Sequence, residues 1–125
     1  MKKITCLLVT ALILVSAANA QNKTWKEKED FHAVMSETFH PAEEGKLEPI
    51  KNRSQEMADK AMAWLRSTAP EGFDKNKIKE SLKNLVKGAK ELNKLVKSNA
   101  ADTVLKEKLS ALHDTFHQIE EKCKE

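Results

Sequence analysis

"LKEKLSALHDTFHQIEEKC", residues 105–123, carries Leu105, Leu109, Leu112, Phe116, Ile119 and Cys123 at alternating steps of four and three. That period returns apolar side chains to one face of a helix, and so regular a face is the seam of a helical bundle. Two upstream segments repeat the pattern. Ile78, Leu82, Leu85, Ala89, Leu92 and Val96 form one seam, and Ile50, Ser54, Met57, Ala61 and Trp64 form another. Phe31, Met35 and Phe39 supply a shorter stripe on a first helix. Nothing after residue 20 alternates with period two, Tyr is absent, and Lys, Glu, Ala and Leu dominate, so no strand is expected.

Breaks between the seams fall where helices should end. Helix one is expected from about Thr24 to His40, stopped by Pro41 and Gly45. Pro49 suits the first turn of helix two, which "STAPEGFD" (67–74) terminates with Pro70 and Gly72. Asp74 or Asn76 can cap helix three, and "SNAAD" (98–102) offers Asp102 as the cap of helix four. Connections this short place neighbours antiparallel, which predicts an all-α, antiparallel up-down-up-down four-helix bundle. Gly88, inside helix three, implies either a close helix approach or a gap facing a ligand.

The first twenty residues, "MKKITCLLVTALILVSAANA", read as a cleaved signal peptide: Lys2 and Lys3, an apolar run from Ile4 to Val15, and the small-x-small site Ala18-Asn19-Ala20. The expected product is one four-helix-bundle domain, 21–125, in the periplasm or secreted. Removing two lysines turns 22 basic against 19 acidic side chains into about 20 against 19, so net charge gives no case for nucleic acid. No membrane insertion is expected after cleavage. Cys123 is then the lone cysteine, which forbids an internal disulfide and leaves open a homodimer through Cys123 or through a helix face.

Chemistry-bearing residues gather on two helices. His32 and His40 lie in "DFHAVMSETFHP" (30–41), His113 and His117 in "ALHDTFHQ" (111–118), and the chain between contains no histidine. With the first and last helices antiparallel, His32 falls level with His113, and residues 28–30 level with His117. His113 and His117, four apart, share one helix face at a spacing that can grip one ion. The expectation is a transition-metal site made by His32, His113 and His117, with Met35 or a carboxylate such as Glu29 or Glu56 completing it. Copper or zinc suits imidazole and thioether best. His40 sits two turns away and is expected to serve the adjacent loop.

The same residues raise haem as an alternative cofactor. No CxxCH occurs, so attachment would be non-covalent, with His117 and either Met35 or His32 as axial ligands and Phe31, Phe39, Phe116 and Leu112 as the slot. An export signal, a domain of about 105 residues and a late-helix histidine in "FHQ" (116–118) together resemble the periplasmic four-helix cytochromes, the soluble b-type cytochrome and more distantly cytochrome c-prime. The resemblance implies haem b, His117 as one axial ligand and electron transfer. The family's other ligand is a Met early in helix one, whereas Met35 lies further along. Enzymatic motifs are missing: there is no Gly-rich phosphate loop, no nucleophile–base pair and no Glu-x-x-His of the di-iron type. A metal-free envelope module with a protein partner completes the set of readings.

Overall fold

The structure, a computed structural model, describes residues 23–124, so the expected leader and the Gln21 terminus lie outside the described residues. Four helices follow in order: α1 (Lys26–Glu43), α2 (Glu48–Arg66), α3 (Lys79–Lys97) and α4 (Asp102–Lys122), with a single 3-10 turn at Lys75–Lys77 ahead of α3. Each helix packs on the next, and α4 returns to α1. Among the described residues the only bridge of β type is the isolated pair Phe73–Lys124. This is the four-helix bundle that the seams dictate.

Every seam residue is buried except Val96, which is partly covered. Ser54, the one polar member, is satisfied inside: its hydroxyl donates to Asn93 Oδ1 at 2.8 Å, and the Asn93 amide donates to Gln55 Oε1 at 2.7 Å. A buried hydroxyl without such a partner would cost more than the bond returns.

Helix ends differ from the sequence reading in three places. Helix α1 runs through Pro41 to Glu43. Proline removes one N–H, but its fixed φ is helical, so near a C-terminus it does not stop the chain. The stop is Gly45 at φ +84°, whose N–H donates to the Ala42 carbonyl at 3.0 Å while Lys46 N–H donates to Pro41 at 2.9 Å. That pair of bonds is a Schellman cap. Asp74 caps the 3-10 turn through Asn76 N–H at 3.0 Å, and neither residue caps α3. Asp102 is the first residue of α4 and pairs with Lys51 at 2.8 Å, leaving Ala101 at the cap position. There its charge still meets the positive end of the helix.

Where the described chain begins, Trp25 closes the bundle. It is fully buried, donates from Nε1 to Ser67 Oγ at 2.8 Å and meets Trp64 edge-on at 6.0 Å and Phe73 at 5.6 Å. The last turn is fastened to the same end, because Asp74 N–H donates to the Cys123 carbonyl at 2.9 Å. Cys123 is a free, buried thiol, and burial pushes it up from the ordinary range.

Gly88 resolves as a close approach: a Cβ there would lie 2.6 Å from Leu112 Cδ2 on α4. Leu112 is itself buried and has little room to yield. Overpacking therefore outweighs the gain in helix propensity of about 1 kcal/mol. Gly88→Ala is expected to lose about 1 kcal/mol net in urea unfolding, and Gly88→Ala with Leu112→Val to recover part of it.

Candidate functional site

Of the four neighbouring helix pairs, α1 and α4 bring their backbones together least, and rings fill the space between them. Phe31 and Phe116 meet at 5.7 Å between centroids. His113 of α4 lies flat on Phe39 of α1, 3.8 Å away and 11° from parallel. His32 of α1 lies on Phe116 of α4 at 4.9 Å and 19°. Each imidazole thus has one face fixed by a phenyl ring of the opposite helix and an edge toward solvent.

His113 and His117 stand one turn apart, and their Nε2 atoms are 3.0 Å from each other, the rings 81° from parallel. His117 Nδ1 faces Glu120 Oε1 at 3.8 Å, too far for a hydrogen bond. His32 Nδ1 faces Glu29 Oε2 at 3.8 Å. His113 is the more enclosed of the pair, its side chain 24 % exposed against 49 % for His117. Burial first, and then the His117 charge, hold the His113 imidazole below its usual range.

Beneath the pair lies a residue that pattern reading overlooked. Lys28 has a side chain only 6 % exposed, and its ammonium sits 2.9 Å from Glu29 and 3.0 Å from Glu120, with the Phe116 ring centroid 6.0 Å away. Burial works against the ammonium, yet the bonds from Glu29 and Glu120 hold it above the ordinary lysine value. For Glu120, burial alone would raise the carboxyl. Lys28, with His32 and His117, brings it below the usual range instead. Lys28 thereby ties α1 to α4 and steadies the carboxylate beside His117. A signal existed: Lys28 stands three residues before Phe31, in phase with the stripe Phe31–Met35–Phe39.

The sequence-derived ligand set is assembled in part. His113 and His117 converge, and His32 borders the same seam. Met35 is fully buried in the core, away from the solvent edge where the imidazole nitrogens lie. His40 is exposed, its ring 5.7 Å from that of Phe39, and it bears on His113 only through its charge. Glu56 is bound to Arg53 at 2.9 Å, and Glu29 to Lys28. Among the described residues no three His, Cys, Asp or Glu side chains surround a common metal position. Nor do the residues fit a porphyrin: Phe31, Phe116 and Trp64 are in mutual ring contact at 5.7 to 5.9 Å, which fills the slot that a flat tetrapyrrole would need. No helix among the described residues is long and apolar enough to cross a membrane.

The depressed His113 pKa fixes a sign. An unfolded histidine takes up its proton near pH 6.5, while the folded His113 resists it to lower pH, so stability falls as pH drops through that window. Urea unfolding at pH 7.5 and 5.5 should show this loss in the native chain. His113→Phe, which keeps the stack on Phe39, should show a smaller one.

Compared with protein-family models, curated proteins and solved structures, the chain matches none of them, and the reading of this site rests on its own side chains.

Proposed function

We propose that the protein is an exported helical bundle that binds a transition-metal ion through His113 and His117, with His32 as the auxiliary ligand. The observation that carries this reading is the 3.0 Å separation of the two Nε2 atoms. With metal–nitrogen bonds of about 2.0–2.1 Å, that separation subtends roughly 90–95° at an ion. Such an angle joins neighbouring corners of a tetragonal or octahedral shell, which favours copper(II). A tetrahedral zinc ion would need the nitrogens to open to about 3.3–3.4 Å, a small rotation of the outer imidazole, His117.

The surroundings support a ligand role. Phe39 holds the His113 ring in plane, and the Nε2 atoms of both imidazoles are turned toward one another. His32, on the facing helix, would have to leave its stack on Phe116 to add a third nitrogen. Met35 has no such route, being packed on all sides. A shell with two or three protein ligands leaves open positions for water or for a ligand from another molecule. It fits acquisition and hand-over of an ion better than a permanent structural metal.

Titration of tag-free protein with copper(II) and with zinc, followed by calorimetry and thermal unfolding, tests the reading. One ion per chain is expected. At a hundredfold excess over Kd it should stabilise by about 2.7 kcal/mol, a rise in Tm of more than ~10 °C. His113→Ala or His117→Ala should abolish the effect, His32→Ala should weaken it, and His40→Ala should leave it unchanged. Undiminished binding by the His113/His117 double variant would sink the assignment. A protein indifferent to both ions would return the pair to a mutual hydrogen bond on a metal-free interaction module.

A further inference from the structure

Near-neutrality of the whole chain hides a strong segregation of charge. Helix α3 contains six lysines and two glutamates, whereas α1, diagonally across the bundle, contains two lysines and five carboxylates. The six are Lys79, Lys83, Lys87, Lys90, Lys94 and Lys97, and their steps of four and three place them within one narrow arc of α3, all exposed. The row is roughly 27 Å long at the helical rise.

Its charges are largely uncompensated. Glu80 lies 3.3 Å from Lys83, and Glu91 is drawn 2.6 Å from Lys108 on α4. Among the described residues, no carboxylate lies within ion-pair distance of Lys79, Lys87, Lys90 or Lys94. Beside the row runs a shallow groove of about 380 Å³ between α2 and α3, floored by Leu65 and Val86 and walled by lysine stems and by Glu91, whose carboxylate is held by Lys108. The surface is therefore basic at its heads and apolar at its floor.

We propose that the α3 lysine face docks the protein on a bilayer of anionic phospholipid. The residue type argues for headgroups over a structured acidic protein. Recognition of particular carboxylates by geometry favours the planar fork of arginine, and α3 has none. Lysine is a hydrated point charge on a flexible stem, suited to a diffuse sheet of phosphates, with its methylenes able to lie along the interface. A straight row on one helix can meet a plane along its whole length. Docked so, α1 faces away from the lipid, and the acidic half of the molecule is spared the repulsion of the surface.

The experiment is co-sedimentation of protein from the exported fraction of cells expressing the full chain. The probes are vesicles of equal phosphatidylglycerol and phosphatidylcholine, and vesicles of phosphatidylcholine alone. Binding to the anionic vesicles only is expected, falling steeply between 50 and 300 mM salt as screening shortens the reach of each charge to roughly 6 Å. Lys87→Gln/Lys90→Gln/Lys94→Gln should weaken partitioning roughly a hundredfold. The matching triple Lys→Arg variant should retain it, with unchanged circular dichroism in both. His113→Ala/His117→Ala should bind vesicles like the native chain, which separates this surface from the imidazole pair. Equal sedimentation with neutral lipid, or full retention by the triple glutamine variant, would overturn the proposal. So would binding to polyglutamate with none to either vesicle, which would assign the face to an acidic polypeptide.

Discussion

Ring stacking across α1 and α4 sets the spacing on which the rest of the molecule depends. The other seams are richer in aliphatic side chains, and Gly88 allows a close approach of α3 to Leu112 on α4. Phe31, Phe39 and Phe116 need more room. The imidazoles border that ring-filled seam, each partly exposed. Their flat faces match phenyl rings of the opposite helix, and two of their nitrogens meet each other at 3.0 Å.

Lys28 shows how the same seam accommodates charge. An ammonium removed from water costs several kcal/mol unless partners meet it with good geometry. Two carboxylates do so, one from its own helix and one from α4, and both stay partly wet. Partial solvation of the acids lowers the cost of the pair while the buried lysine stem packs among rings. The result is a directional link in a region otherwise held by non-directional packing. It fixes α4 against α1 in rotation as well as in distance, and that rotation decides where His113 and His117 point.

Much of this fold could be read from the chain, because a seam is a periodic property of a single helix. Leu105 to Cys123 and Ile50 to Trp64 needed no partner to declare which face turns inward. The antiparallel order put His32 level with His113, whereas the structure seats His32 on Phe116, nearly a turn further along α4, and sets Phe39 against His113. Three kinds of feature resisted. Pro41 looked like a stop because its local cost is plain, whereas the two bonds from Glu44 and Lys46 to its carbonyl depend on the turn beyond it. Trp25 and Lys28 were not singled out from the sequence. Their burial comes from α2 and α4, which lie far along the chain. Met35 read as a ligand by composition, yet its place on the stripe between Phe31 and Phe39 already put it in the core. Side-chain rotation, which brings two nitrogens to 3.0 Å and leaves a third apart, has no counterpart in sequence spacing.

The contact between Phe39 and His113 has a kinetic side. It joins the first helix to the last, so its loop contains most of the chain, and closing such a loop forfeits more chain entropy than closing the hairpins α1–α2, α2–α3 and α3–α4. Those three local pairings can form in order as the polypeptide emerges, with their Leu and Ala seams meeting early. The ring-filled seam must wait for the final helix and then for Cys123 to dock against Asp74. By that entropy argument the imidazole pair is present on α4 as soon as the helix winds, whereas its orientation depends on the slowest closure, that of the first helix on the last.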